Sequence, residues 1–347
     1  MTYDETDPRA DACEEPQPDL FSDADIASGA ASGDGAALPV AAPETAFPRA
    51  LDDAFAGYPV EVLSARARLV RGDAAAVLGD LPDASVHAIV TDPPYGATEY
   101  EPEQLAKLRG GRGGVWRIPP AFDGVQRSPL PRFTVFTADE LERMQAFFAA
   151  LARDMMRVLV PGGHVFLASN PLVSTQTFQA VMSAGFDKRG EIIRLVQTLR
   201  GGDRPKGAHE EFTDVTVMPR SAWEPWGLFR KPCDGTVADT LRRHGTGALR
   251  RISPTEPFRD VIACSPTRGK ERALAPHPSL KPQRFLRQIV RASLPLGRGV
   301  VLDPFAGSGS TLAAAEAVGY VSVGVERDAT YADLAVGAFP ALARLTT

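Results

Sequence analysis

From about residue 60 onward, short runs of β-branched and apolar residues alternate with longer amphipathic stretches. This alternation is typical of strands that each lead into a covering helix, an arrangement that sets the strands side by side in a mostly parallel sheet. The sequence therefore predicts an α/β, Rossmann-like fold with a seven-stranded sheet and helices on both faces.

The predicted elements fill most of the chain after residue 60. Strands are predicted at 65–72, 86–91, 164–169, 191–197, 226–231, 299–304 and 320–326. Helices are predicted at 138–159, 174–184, 281–293, 310–318 and 328–344. At 97–136 the chain is rich in Gly, Pro and Arg, so we expect a loop over the mouth of a site.

A second irregular stretch, residues 199–276, contains the predicted strand 226–231 and a cluster of basic residues. The arginines are Arg242, Arg243, Arg250 and Arg251. A basic run is usually a solvated face, but the predicted sheet would let both irregular stretches flank one cleft. We therefore predict that these arginines bind nucleic acid.

The net charge of −5 averages two unlike segments. Residues 1–50 hold eleven acidic residues and two arginines, a balance of −9, so the rest of the chain carries +4. A tail (1–55) rich in Ala, Gly, Ser and Pro has little to bury, and we expect it to be disordered. We interpret it as a solvating tail; the alternative is a nucleic-acid mimic that screens a basic cleft.

Composition argues against membrane and secreted proteins. The chain has no run of about 18 apolar residues, and its start lacks the basic-then-apolar order of a signal peptide, so the expected location is the cytoplasm. Its three cysteines, Cys13, Cys233 and Cys264, lie far apart. This spacing fits a reducing compartment and predicts no metal site.

The strongest local signal is "VLDPFAGSGST", residues 301–311. An apolar strand ends in Asp303, passes Phe305, Gly307 and Gly309, and enters an alanine-rich helix. Glycine lets the backbone turn sharply and approach a ligand beside the exposed N–H groups of a helix start. The segment therefore predicts a nucleotide-like site.

The kind of nucleotide follows from the neighbouring residues. A phosphate-binding P-loop needs a lysine that "GSGST" lacks, and a dinucleotide fingerprint needs glycine where Leu312 stands. The next strand ends in Glu326, placed to accept hydrogen bonds from ribose hydroxyls, with a surface acid as the alternative. Acids suit a positively charged cofactor without phosphate, such as S-adenosylmethionine.

Three segments in one order carry a family resemblance: "TDPPYG" (91–96), "HPSLKP" (277–282) and "LDPFAGSGST" (302–311). Together they resemble the DNA methyltransferases that modify exocyclic amines to give N6-methyladenine or N4-methylcytosine. With the catalytic motif first and the cofactor loop last, the order resembles the beta subgroup. The resemblance implies a catalytic half (60–198), a target-recognition region (199–276) and a cofactor-binding half (277–345).

The resemblance also implies residue roles on the acceptor side. Asp92 and the carbonyl of Pro93 would accept hydrogen bonds from the target amine, while Pro94 helps to fix their geometry. Tyr95 would stack on a base turned out of double-stranded DNA.

On the cofactor side, Asp303, Phe305, Gly307 and Gly309 would line the S-adenosylmethionine site, with Glu326 on the ribose. Asp73 matches an acid near the cofactor adenine, although the same residue reads equally well as the cap of the next helix. Ser279 and Lys281 would meet the methionine end.

Several alternatives stay open. Asp92 favours adenine, because serine in that place would favour cytosine; N4-cytosine is the first alternative. Methylation of RNA or of protein glutamine is the next, although glutamine enzymes typically show Asn at this position. An inactive DNA-binding protein on the same fold is the third. The resemblance leaves open a restriction endonuclease partner, and the sequence carries no indication of oligomeric state.

Overall fold

A computed structural model gives the architecture for residues 47–94, 137–196, 205, 207–208, 210–217, 222–265, 267, 269–277 and 279–346. The strands are β1 (Val60–Val62), β2 (Ala67–Arg71), β3 (Val86–Thr91), β4 (Leu159–Ala168), β5 (Asp187–Leu195), β6 (Trp223–Arg230), β7 (Val261–Ala263), β8 (Val300–Asp303) and β9 (Val321–Glu326). The helices are α1 (Arg49–Ala54), α2 (Ala74–Asp80), α3 (Ala138–Val158), α4 (Ser174–Ser183), α5 (Val237–His244), α6 (Gly269–Leu274), α7 (Gln283–Ser293), α8 (Ser310–Ala317) and α9 (Ala329–Ala343).

The strands form one sheet in the order β1-β2-β9-β8-β3-β4-β6-β5-β7. Neighbours from β2 to β4 are parallel, whereas β6 runs antiparallel to both β4 and β5. The carboxyl ends of the parallel strands therefore share one edge of the sheet, and the antiparallel β6 begins at that same edge. We call this the carboxyl edge and the opposite one the amino edge.

Helices cover both faces of the sheet, as predicted. Along β3, Ile89 packs in one apolar cluster with α2, α3 and α4, while Ala88 and Val90 pack in another with α7 and α8. A strand buried on both faces explains why "VHAIVT" reads as an apolar run rather than as an alternation.

The α/β class and the mostly parallel sheet are confirmed, but the prediction of seven strands is wrong. The described residues form nine, because β1 and β7 add three-residue strands to the two sides of the sheet. Strands this short leave no pattern that a sequence window detects.

The prediction that disorder extends to residue 55 is also wrong for the last residues of that range. Residues Arg49–Ala54 form α1, and Leu51 and Phe55 are only 1% and 2% exposed in the apolar core. Two large apolar side chains at helical spacing bury enough surface to order this turn. Residues 1–46 lie outside the described ranges. In the part of the chain described here, no helix is long and apolar enough to cross a membrane.

Candidate active site

The carboxyl edge gathers most of the predicted site residues. Asp92 follows β3, Asp303 ends β8, Glu326 ends β9, and Asp73 follows β2 next to β9. Ligands of open α/β sheets bind at such an edge, where strand ends release loops and helix starts point toward the ligand.

Asp92 is held by an ammonium group from a distant segment. Its Oδ2 lies 2.5 Å from Nζ of Lys281, and the two side chains are 16% and 12% exposed. Burial disfavours the Lys281 charge, but Asp92 and Glu224 outweigh burial and raise the pKa of Lys281 above its ordinary value. Pro93 is buried and Pro94 exposed. The carboxyl group of Asp92 therefore lies between a stiff backbone and a charged lysine.

The glycine loop is shaped by two left-handed residues, Gly307 (φ 51°) and Gly309 (φ 76°), that lead into α8. The N–H of Gly307 donates to Oε2 of Glu326 at 2.9 Å, and the N–H of Asp328 donates to Oε1 at 2.7 Å. Two backbone donors thus fix the Glu326 carboxylate beside the loop. A side chain at Gly307 would be strained and would meet the ring of His277.

His277 covers the loop as a neutral ring. Its imidazole packs edge-on against Tyr331, with ring centroids 4.4 Å apart, and its Nδ1 accepts the N–H of Ser279 at 3.2 Å. Burial lowers the pKa of His277 to about 4. The ring is therefore uncharged at neutral pH, and "HPSLKP" supplies shape here and charge only at Lys281.

Asp303 is buried beneath the loop, with 3% of its surface exposed. Its Oδ1 accepts the hydroxyl of Thr91 at 2.6 Å and the N–H of Phe305 at 3.1 Å. Burial raises the pKa of Asp303 to about 6, although hydrogen bonds from Thr91, Thr311 and Phe305 oppose the shift. The Thr91 bond joins the ends of β3 and β8, the two strands that carry the two motifs.

The remaining predicted cofactor residues have local roles that the structure defines. Asp73 caps α2, since its Oδ1 accepts the N–H groups of Ala75 and Ala76 at 3.0 and 3.4 Å. The helix-cap reading of Asp73 is therefore confirmed. Phe305 lies near Phe147 of α3, with ring centroids 6.2 Å apart.

Tyr95 and the predicted loop 97–136 lie outside the described residues. The basic segment 237–251 is described, and the expectation that it flanks the site is wrong. Its turn after α5 is tied to the start of β4, where the N–H of Gly247 donates to Gly162 O at 2.9 Å. β4 begins at the amino edge and runs parallel to β3 toward the site, so the segment lies at the amino edge.

The four arginines of this segment are partnered locally. Arg242 and Arg243 pair with Asp239 and Asp234, Arg250 donates to the Tyr320 hydroxyl at 2.9 Å, and Arg251 donates to the Ser253 carbonyl at 3.4 Å. Cys233 also lies here, beside Gly247. The segment lies at the amino edge because the antiparallel β6 ends there and α5 is the next element, a reversal of chain direction that the spacing of the arginines does not reveal.

Sequence reasoning missed two residues at the carboxyl edge. Glu224 is the second residue of β6 and Arg194 lies opposite it on β5, and both are buried. The detectable signal was a single acidic residue in the apolar run "WEPWGLF" and a single basic residue in "EIIRLV". Opposite charges in neighbouring buried strands are expected to pair, because an unpaired buried charge is costly.

The family follows from a match over most of the chain. The model of the N6 and N4 DNA methylases, described as "DNA methylase", matches residues 86–337. The chain belongs to this family. The match begins at the first residue of β3 and takes in both motif loops of the carboxyl edge.

Curated methylases resemble the chain over much of their length. The Type II methyltransferase M.BglII of Bacillus subtilis is 22% identical over 282 residues, 77% of this chain and 67% of the relative. The Type II methyltransferase M.HindIII of Haemophilus influenzae is 24% identical over 282 residues, 73% and 88% of the two chains.

One solved structure has a comparable fold. The Thermus thermophilus protein TTHA0409, solved with S-adenosyl-L-methionine, is 22% identical and has a TM-score of 0.50 over 81% of this methylase and 95% of that chain. This likeness concerns the fold alone.

Proposed function

We propose that this methylase transfers a methyl group from S-adenosylmethionine to the N6 amine of an adenine turned out of duplex DNA. The observation that carries the proposal is the Asp92 carboxylate, which is fixed at the end of β3 and connected through Thr91 and Asp303 to the glycine loop. An acceptor group and a donor-binding loop thus share one edge of the sheet.

The acceptor chemistry suits the Asp92 turn. The lone pair of an aromatic exocyclic amine is delocalised into the ring, so the amine is a poor nucleophile until hydrogen bonds localise that pair. Asp92 and the carbonyl of Pro93 accept those bonds and stabilise the positive charge that grows on nitrogen. Proline fixes its own φ and restricts the preceding residue, so both acceptors are oriented in advance.

The target base must leave the stack to reach Asp92, at a cost of a few kcal/mol. We assign the compensating stacking contact to Tyr95. Within the irregular stretch 199–276, we assign target recognition to the loops outside the basic segment 237–251, which lies at the amino edge. Such a role suits loops between framework strands.

The cofactor loop fits an adenosine group without phosphate. Left-handed Gly307 and Gly309 let the backbone approach a ligand closely, and Glu326 is held beside them with both oxygens oriented by backbone N–H groups. Each carboxylate oxygen has room for a further hydrogen bond, so Glu326 would accept from the ribose hydroxyls. When bound, S-adenosylmethionine supplies an electrophilic methyl group on a positively charged sulfur.

Phe305 would line the cofactor site, and Asp73, which follows β2 next to β9, would lie near the adenine. Ser279 and Lys281 would meet the methionine end. Asp303 would support the loop from beneath. Adenine is favoured over cytosine because the motif carries aspartate where serine would favour N4-cytosine.

The test supplies the protein with methyl-labelled S-adenosylmethionine and, in separate reactions, duplex DNA, RNA and bulk protein. We expect label in duplex DNA, recovered as N6-methyladenine after digestion to nucleosides. Recovery as N4-methylcytosine would show that the target base is cytosine and not adenine, while the protein would still be a DNA methyltransferase. Label in RNA or protein alone would refute the proposal, and modification-calling sequencing of the DNA would give the recognition site.

A further inference from the structure

Lys281 belongs to a row of four buried charges that begins on β5, three strands along the sheet from β3. In order they are Arg194 on β5, Glu224 on β6, Lys281 before α7 and Asp92 after β3, and their side chains are 4%, 6%, 12% and 16% exposed. The signs alternate, so the row is neutral as a whole. Only Asp92 and Lys281 belong to the sequence motifs.

Each contact in the row is short enough to orient its members. Glu224 Oε2 lies 3.3 Å from Nη1 of Arg194 and 3.7 Å from Nζ of Lys281, while its Oε1 accepts the indole N–H of Trp226 at 2.7 Å. Arg194 also donates to the Ser265 carbonyl at 3.4 Å. Glu224 is thus held on two sides, and Lys281 lies between two carboxylates.

Stability does not account for such a row. Buried ion pairs often contribute less than well-packed apolar residues of similar volume, because removing charges from water is costly. The row ends at the carboxylate that would contact the target amine. Its position therefore suggests a part in orienting that carboxylate.

We propose that Glu224 is a positioning residue that holds the Lys281 ammonium against Asp92 and separates Lys281 from the positive charge of Arg194. The inference rests on the proposed role of Asp92 in methyl transfer. Without Glu224 the row would carry a net positive charge, and Lys281 would be repelled by Arg194 and attracted, within the row, by Asp92 alone. The Asp92 carboxylate would then lose its fixed orientation toward the amine.

The charges around Lys281 give the sign of the expected pH effect. Asp92 and Glu224 favour its charged form, whereas Arg194 disfavours it, and His277 nearby is neutral at physiological pH. Removal of the Glu224 charge would let Lys281 lose its proton at lower pH. If the charged Lys281 orients Asp92, kcat should fall at alkaline pH as Lys281 loses its proton. This alkaline fall should therefore occur at lower pH in a Glu224→Gln protein.

The experiment compares the unchanged protein with Glu224→Gln and Glu224→Asp, using the DNA acceptor established by labelling. We expect Glu224→Gln to lower kcat at least tenfold, to leave the Kd for S-adenosylmethionine within about twofold, and to move the alkaline fall downward. Glu224→Asp keeps the charge and should recover part of kcat.

Glu316→Gln is the matched control, because Glu316 pairs with Arg66 at 2.7 Å, partly buried at the amino edge. It should leave kcat and the pH profile unchanged. Should Glu224→Gln fail to fold, Glu224→Asp serves as the test by itself. Its side chain is one methylene shorter and lengthens the contact with Lys281, so kcat should still fall severalfold.

A kcat within twofold of the unchanged protein in Glu224→Gln, or in Glu224→Asp where only that variant folds, overturns this inference and leaves the methyltransferase proposal intact. An equal loss in Glu224→Gln and Glu316→Gln also overturns it, since the effect would then be structural. Absence of transfer to DNA by the unchanged protein would instead overturn the proposed function.

Discussion

The carboxyl edge and the amino edge of the same sheet both carry ion pairs, but they bury them to very different degrees. At the carboxyl edge Arg194 and Glu224 are 4% and 6% exposed, whereas at the amino edge Arg242 and Asp239 are 72% and 41% exposed. Exposed pairs contribute about 0–1 kcal/mol, but buried charges require partners and fixed geometry. The difference indicates which charges have a chemical task.

The largest expected effect is at the end of β3. Asp92→Ala should lower methyl transfer about a thousandfold, since an oriented group that stabilises developing charge is removed. Cofactor binding should persist, because the glycine loop and Glu326 remain. Single-turnover transfer and calorimetric binding of S-adenosylmethionine test the two statements separately, and retained transfer would contradict the assignment of Asp92.

A second prediction concerns stability at the carboxyl edge. Burial raises the pKa of Asp303 to about 6. The protonated side chain therefore stabilises the folded protein fully below the pKa that Asp303 has in the unfolded chain, and this contribution is lost as the pH rises through 6. Asp303→Asn keeps an oxygen for Thr91 and Phe305 but never ionises. It should raise the free energy of unfolding at pH 8 by up to roughly 3 kcal/mol and change it little near pH 4.

Denaturant unfolding of both proteins without cofactor, at the two pH values, measures that difference. A control is Asp239→Asn at the amino edge, whose side chain is exposed and should give no stabilisation at high pH. Equal effects of the two changes would remove the distinction between the edges.

A smaller effect is expected at the end of β9. Glu326→Gln should weaken S-adenosylmethionine binding about tenfold to a hundredfold, since the amide replaces one acceptor oxygen and no longer carries charge. One of its two backbone donors, the N–H of Gly307 or that of Asp328, would also lose its acceptor. Calorimetry measures the affinity, and an unchanged Kd would return Glu326 to a role in loop structure alone.

The smallest effect is expected at the amino edge. Changing Arg242 and Arg243 together to alanine should leave the rate of methyl transfer within twofold and the salt dependence of DNA binding unchanged, because both lie away from the site. If they contacted phosphates, the slope of log affinity against log salt would fall by about two. Such a fall would restore the DNA contact that the sequence predicted.

Local patterns predicted the parts of the site that lie next to each other in the chain. The apolar runs before Asp92 and Asp303 indicated buried strands, and the glycines at 307 and 309 indicated a sharp turn. The structure confirms both and shows left-handed backbone at the two glycines. These features follow from short-range sterics and from side-chain periodicity, and a few consecutive residues determine both.

The sequence by itself therefore determined the α/β class, the two motif loops and the family resemblance. The tertiary structure alone decided that Lys281 meets Asp92, that Glu224 joins them from an antiparallel strand, and that the basic segment after β6 lies at the opposite edge. Those contacts join residues far apart in the chain. They depend on strand order and direction, which arise from packing of the whole core rather than from any local run of residues.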